Sequence, residues 1–385
     1  MRVAIVTRIF APEVSAASGL LSSWARAFRD AGWKVSVVTT VPPKGVSAVD
    51  PTDINVRRAP VLRDRQQYVR GYLSYLSFDL PLFFRLLFSR RPDLYIVEPP
   101  PTSVAVVRVM SFLKRAPYIV DAADLWSDAA AVVTRSRTVL TALRALELWG
   151  LRGARHLLVA HEPLAARIRQ LGVGTPATAI GFGADAHVFH HLGREAADPP
   201  TLVYAGTHSE WHGAGVFVEA MARLLPKHPG ARMRFIGNGQ ERELLRRLAR
   251  SLGVDHAVSF EEPIAPDALN EILNDATVSL ASLKPAMGYD YAFTTKVYSS
   301  LAAGCPVVFA GVGPTVAFFH SAPVPLAGVA VPYDVQAVTE ALDQACSTPL
   351  RAAERARISE WTRDSHSLEA LARKVVSTSV AALKV

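Results

Sequence analysis

Short apolar runs recur along the whole chain, each stopped by a polar residue, glycine or proline and followed by a stretch of helical spacing. That alternation restricts the chain to a parallel α/β architecture. "RVAIVT" (2–7) opens the series, "LLSSWARAFRDAGW" repeats apolar residues at helical spacing, and "KVSVVTT" (34–40) is the next strand. "DLYIVEPP", "APYIVDAAD", "HLLVAH" and "ATAIGFG" continue it. Continuous Val/Ile/Leu/Ala runs are strands buried on both faces, and parallel sheets present ligand groups at the carboxyl ends of their strands.

One break interrupts the pattern. "HHLGREAADPP" (190–200) is polar and ends in prolines, and "TLVYAG" starts a new strand directly after it. The second half repeats the logic: a helix through Ala220–Leu225, "RMRFIG", a helix over 240–252, "AVSF", a helix over 266–274, "VSLAS", a helix ending at Gly304, and "PVVFAG". The expectation is two Rossmann-like domains, 1–190 and 200–365, joined by a linker at 191–199. The last helix, 366–385, is expected to pack back on the first domain. At 385 residues, two cores are also what chain length favours.

A net charge of +8 and a pI near 9.6 point to an anionic partner: a nucleotide, a phosphorylated lipid, a membrane surface or a nucleic acid. No zinc-finger spacing and no aromatic RNA-binding strand is present, so nucleic acid is not expected. Two cysteines, Cys305 and Cys346, with no C-x-x-C, fit a reducing cytoplasm. The N-terminal strand argues against a signal peptide, and no uncharged apolar run of about 18 residues reads as a membrane span. Segment 68–91, "YVRGYLSYLSFDLPLFFRLLFSRR", stands apart through its Tyr, Phe, Leu and Arg content. It reads either as a pair of core helices or as an interfacial surface in peripheral contact with an anionic membrane.

Several loops carry candidate chemistry. Gly206 opens "GTHSEWHG" after a strand, and Gly237, Asn238 and Gly239 lie in "FIGNG". "AGVGP" (310–314) is a third glycine-rich strand end. Backbone N–H groups at such turns can approach a phosphate. Lys296 sits near the start of a helix, where its charge conflicts with the helix dipole unless an anion lies between them. Thr294 and Thr295 are placed to cap that helix or to donate to phosphate. In the first half, Asp121 and Asp124 follow a strand, and the loop 7–19 holds Arg8, Glu13 and Ser18. No Walker motif, nucleophile elbow or metal-ligand cluster is present, so hydrolase and ATPase readings find no support and no metal or other cofactor is expected.

Together these stretches resemble the retaining glycosyltransferases of family 4, which have the GT-B fold of two Rossmann-like domains facing a central cleft. The resemblance runs along nearly the whole chain through "APE" near the first strand, "DLW" (124–126), "GFGADAHVF", "GTHSEWHG", "FIGNG" and "KVYSSLAAGCPVV". It is nearest to the branch that makes bacterial surface polysaccharides, often with deoxy- or N-acetylated sugars. It implies transfer of a sugar from a nucleotide-sugar to a hydroxyl of a glycan, lipid-linked or small-molecule acceptor, with retention. It implies donor contacts at Gly206, Thr207, His208, His212, Gly237, Asn238, Gly239, Thr294, Thr295, Lys296, Tyr298 and Ser299. It places acceptor contacts at Arg8, Glu13, Ser18 and Trp126, with Asp121, Asp124 and Lys296 as the catalytic candidates. The cysteine content, the basic charge and segment 68–91 give the expected location, the cytoplasm with peripheral contact at the inner face of the membrane.

The chain also departs from the family pattern. Thr207 and His212 stand where an Arg and a Lys are usual, and Ala123 replaces a His. Ser15 and Ala16 lie where the first loop often has two glycines. Tyr291 and Ser299 occupy the positions of the E-x7-E carboxylates. Two other functions fit such losses: a nucleotide-sugar epimerase of the same fold, and a non-catalytic partner protein.

Overall fold

The computed structural model describes every residue except 14, 49, 65–68, 70–71, 134–135, 289, 325–326 and 385. Two compact units emerge, one formed by Met1–Gly181 with Leu368–Val385, the other by Phe182–Ser367.

In the first unit the chain runs β1 (Arg2–Val6), α1 (Ala16–Asp30), β2 (Lys34–Thr40), β3 (Asn55–Ala59), α2 (Tyr72–Leu87), β4 (Leu94–Val97), α3 (Pro101–Lys114), β5 (Tyr118–Ala122), α4 (Trp126–Val133), α5 (Arg137–Arg152), β6 (His156–Val159), α6 (Glu162–Gln170) and β7 (Ala177–Ala179). All strand pairs are parallel, in the order β3-β2-β1-β4-β5-β6-β7.

The second unit runs β8 (Thr201–Ala205), α7 (Gly215–Leu224), β9 (Arg232–Ile236), α8 (Arg242–Ser251), β10 (Val258–Glu261), α9 (Pro266–Asp275), β11 (Val278–Leu283), α10 (Lys296–Ala302), β12 (Val307–Gly311), α11 (Pro314–Ser321), β13 (Gly328–Val331), α12 (Val335–Ser347) and α13 (Ala352–His366). Its parallel order is β10-β9-β8-β11-β12-β13. The chain closes with α14 (Leu368–Lys384). Each sheet thus reverses its strand order once, between β1 and β4 and between β8 and β11, and a ligand crevice opens beyond the strand ends at such a switch point.

The helices are placed by their apolar stripes. In α1, Leu21, Trp24, Ala25 and Phe28 recur at i, i+3, i+4 and i+7 and are all buried, while the Ser15 hydroxyl caps the helix by accepting from Ser18 N–H at 3.0 Å. Burying each such large side chain contributes about 1.5–3 kcal/mol. Leu371, Ala372 and Val375 of α14 complete that cluster, so α14 packs on α1.

The stretch 190–200 is a strap rather than a free linker. His190 and Leu192 donate their N–H groups to the side chains of Asn270 and Asn274, and Ala197 donates to the Asp275 carbonyl at 2.9 Å. The chain passes from one unit to the other at Gly181/Phe182, because Ala184 N–H bonds the His366 carbonyl within the second unit. A proline-ended polar run marks the boundary from afar, but its buried asparagine partners lie some eighty residues away in sequence.

Among the described residues of segment 68–91 there is one helix, α2, rather than two. Pro81 lies inside α2, where it forfeits a single backbone bond while Ser74, Phe78, Leu82 and Leu86 keep one buried stripe on either side of it. Tyr68, Arg70 and Gly71 of that segment lie outside the described residues. Among the described residues no helix is long and apolar enough to cross a membrane.

Candidate active site

The second unit gathers its candidate groups at the β8/β11 switch point. Lys296, the first residue of α10, sends its side chain to Gly206 at the end of β8. A Cβ on Gly206 would stand 3.1 Å from Lys296 Cε and 3.2 Å from Nζ. The ammonium is buried, lies 3.9 Å from the centroid of the Tyr204 ring and has no hydrogen-bond partner among the described residues. Burial without a counter-ion pushes its pKa down to about 7. A cation held there on a π face alone is costly, and an arriving anion would remove the cost.

Two imidazoles share this environment. His208 is fully buried between the rings of Tyr204 and Phe235, at centroid distances of 5.6 and 5.8 Å, and neither ring nitrogen has a hydrogen-bond partner among the described residues. His212 hydrogen-bonds the Thr207 backbone and leaves Nδ1 unpartnered. Burial, followed by the positive field of Lys296, pushes both pKa values down to about 4, so both rings are neutral near pH 7. A neutral imidazole offers an N–H donor without adding to the local positive charge.

The glycines play a different part from the one their sequence context suggests. A Cβ on Gly237 would lie 2.1 Å from the Gly206 carbonyl oxygen, so the β9 loop seats directly on the β8 loop. The N–H groups of Gly206, Gly237 and Gly239 are taken by Ile236 O, Glu261 O and Asn238 Oδ1. They shape the loops and do not present free donors. Asn238 serves the same packing, its carbonyl accepting from His208 N–H at 3.0 Å, whereas Thr207 stays exposed.

Around α10 the expected roles divide. Thr295 occupies the N-cap position, but its side chain makes no capping bond. Thr294 is buried, its N–H bonded to Thr315 Oγ1 at 3.0 Å. Tyr298 is a core residue, stacked on Phe293 at 5.0 Å and edge-on to Phe318, so its ring is spent on packing. Ser299 is half-buried on the same helix, and Tyr291 is exposed on the preceding loop.

In the first unit the β1/β4 switch point brings together Thr7, Arg8, Glu98 and Asp121. Arg8 is buried, donates to the Pro99 carbonyl at 3.2 Å, and its guanidinium carbon lies 4.3 Å from the Tyr75 ring centroid and 5.5 Å from that of Trp126. Its Nε has no hydrogen-bond partner among the described residues, and neither has Oδ2 of buried Asp79. The Thr7 hydroxyl donates to Glu98, whose pKa burial raises. Asp121, at the end of β5, is pushed up to about 8 by burial first and by Glu98 and Asp124 second. It is therefore mostly a neutral carboxylic acid near pH 7, able to donate to a hydroxyl oxygen. Asp124 is exposed at the rim, and Trp126 starts α4 with its N–H on Glu147 Oε1 at 2.7 Å.

Glu13 is not free to meet a ligand: Arg63 binds its carboxylate at 2.9 Å and ties the loop after β1 to Thr40 and Val41. Ser18 is buried in the first turn of α1. Sequence reading passed over Glu98, Tyr204, Asp79 and Tyr75. Glu98 ends the run "YIVEPP" as Asp121 ends "YIVDAAD", and the same strand-end rule finds both.

The Asp121 carboxyl is a measurable burden. Its folded pKa lies above the unfolded value near 3.8, so its contribution to stability falls as pH rises from about 4 through 8. Asp121→Asn should therefore raise stability at pH 9 by about 1–3 kcal/mol and change little at pH 4, read by denaturant titration at both pH values.

Comparison with known proteins places this geometry. Residues 20–183 match the model of a glycosyl transferase 4-like domain, and residues 199–348 match that of glycosyl transferases group 1. The chain belongs to the family-4-type glycosyltransferases. Its fold is GT-B: sucrose-phosphate synthase from Thermosynechococcus elongatus superposes with a TM-score of 0.71 at 16% identity, over 99% of this chain and 98% of that one. HepE of Anabaena, solved in complex with UDP and glucose, superposes at 0.64 and 16% identity over 99% and 100%. D-inositol 3-phosphate glycosyltransferase of Acidothermus cellulolyticus is 32% identical over 169 residues. That match takes in 42% of this chain and 36% of the relative, so the alignment spans about a third of the length of the curated relative.

Proposed function

We propose that this family-4-type glycosyltransferase moves a sugar from a nucleoside-diphosphate sugar to a hydroxyl of a glycan, lipid-linked or small-molecule acceptor. The donor belongs to the second unit and the acceptor to the first. The observation that carries the reading is Lys296: a buried ammonium with no partner but an aromatic face, beside a glycine whose missing Cβ leaves it room. A diphosphate supplies the charge it lacks, with His208 and His212 as neutral donors. UDP and glucose bound to HepE, and UDP and GlcNAc bound to the pneumococcal O-GlcNAc transferase GtfA, are ligands of that class in proteins of this fold.

The chemistry asks the protein mainly to stabilise charge on the leaving diphosphate and to hold the acceptor oxygen against the anomeric carbon, on the face the diphosphate leaves. Lys296 does the first. In the first unit Asp121, neutral and with Glu98 beside it, orients an acceptor hydroxyl, and Arg8 fixes the Tyr75 and Trp126 rings that frame it. Retention follows if a phosphate oxygen of the leaving group takes the acceptor proton on the face of attack. In place of the usual paired carboxylates, Ser299 offers a hydroxyl to the donor's ribose.

The test is a binding and turnover screen with UDP-, GDP- and dTDP-sugars. One or more should raise the melting temperature, and proton NMR of the product should show the donor's anomeric configuration retained. No binding by any of them would end the donor reading. Conversion of donor without acceptor would point to epimerisation, and an inverted product would remove the retaining mechanism.

A further inference from the structure

The outward face of α2 has no charged residue. Its exposed positions are Leu73, Leu76, Leu80, Pro81, Phe84 and Leu87, and Phe88 follows in the next turn. These recur every three or four residues opposite the buried stripe of Ser74, Phe78, Leu82 and Leu86, so they form one continuous ridge. Helices of water-soluble proteins carry polar and charged side chains there, and contiguous apolar surface of this kind marks an interaction site.

The neighbouring helices extend the ridge. α2 packs beside α3 and α3 beside α5. Arg91 bonds the Arg115 carbonyl and Lys114 bonds the Ser89 carbonyl, so the carboxyl ends of α2 and α3 lie together. Each carries an outward phenylalanine: Phe88 and Phe112 are both 83% exposed. On α5, Trp149 is exposed and lies under Arg108, 4.2 Å from the guanidinium carbon to the ring centroid.

Charge selects the occupant. Arg90, Arg91 and Arg115 are exposed and Lys114 is half-exposed at the same end, and among the described residues no carboxylate pairs with any of them. Asp93, the exposed carboxylate nearby in sequence, accepts from the Arg2 N–H. A second copy of the chain would set this cationic rim against its like. A protein partner would need an acidic rim around an apolar centre. An anionic bilayer meets both parts at once, with acyl chains for the leucines and phenylalanines and phosphates for the arginines.

We propose that the α2/α3 face docks in the plane of an anionic membrane, with Leu76, Leu80, Phe84, Phe88 and Phe112 entering the acyl boundary and Arg90, Arg91, Lys114 and Arg115 meeting lipid phosphates. The side chains that insert are exposed, so they can be changed without touching either core.

Flotation of the full chain with phosphatidylcholine vesicles containing about 30 mol% phosphatidylglycerol tests this. The wild type should float with these vesicles, and far less with pure phosphatidylcholine. Leu80→Glu/Phe84→Glu should cut the bound fraction at least about tenfold at an unchanged melting temperature. Phe112→Glu on α3 should weaken binding independently, which guards against misfolding of α2. Arg90→Glu/Arg91→Glu should act only on the anionic vesicles. Absence of binding, or binding untouched by the α2 and α3 variants, would overturn the proposal. So would a wild-type dimer in size-exclusion chromatography that Leu80→Glu/Phe84→Glu turns into a monomer.

Discussion

Lys296→Met is expected to weaken binding of a nucleoside diphosphate by about 10²–10³-fold while making the ligand-free protein more stable at neutral pH. The two effects have opposite signs because one unpartnered charge causes both. Without an anion, the buried ammonium is a cost that methionine, of similar length and without charge, removes. With a diphosphate present, the same ammonium is the counter-charge. The pH dependence follows from the depression of its pKa from 10.5 to about 7. The penalty is fully present below about pH 7 and fades as pH rises towards 10.5, so wild-type stability climbs across that window and that of Lys296→Met does not. A diphosphate also restores the proton. At pH 8, where free Lys296 is mostly neutral, binding should take up close to one proton, read by calorimetry in two buffers of different ionisation enthalpy. No uptake, together with a destabilised Lys296→Met, would mean that the ammonium already has an internal partner.

Much of the fold was legible because buried parallel strands read as unbroken apolar runs. "KVSVVTT" is β2 residue for residue, and "TLVYA" is β8. The edge strands β3, "NVRRA", and β13, "GVAV", escaped notice because each is half exposed and short, and β3 carries two arginines. At the site, residue types were easier to find than their roles. Lys296 stood out through a local conflict of charge, which is a property of sequence. That the glycines of "FIGNG" pack backbone on backbone and leave no free donors depends on which strand lies beside β8, and Gly206 and Gly237 are thirty-one positions apart. Glu13 reads in sequence as a free carboxylate of the loop after β1, and only the fold brings Arg63, fifty residues on, against it.

Arg355→Met is expected to cost the second unit about 3–5 kcal/mol of stability. In "RAAERARISE" this residue reads as one more solvated arginine among alternating charges. It is instead fully buried, and its guanidinium donates to the carbonyls of Ala276, Leu273 and Asn274 at 2.7, 3.0 and 2.8 Å. Those oxygens end α9, where helix carbonyls have no partner of their own and the dipole favours a cation. Methionine fills much of the space but leaves three buried acceptors unmet, at about 1–3 kcal/mol apiece before relaxation. Lysine keeps the charge but not the fork that reaches three oxygens, so Arg355→Lys should recover only part of the loss. The effect reaches Lys296 through packing: α13 lies against α10, and a Cβ on Gly304, just past the end of α10, would stand 2.7 Å from the Arg355 carbonyl oxygen. Hydrogen exchange should therefore show α9 and α10 opening together in Arg355→Met, and saturating diphosphate should restore part of the lost protection by mass action. A loss below about 1 kcal/mol would show that water serves these carbonyls as well as the guanidinium does.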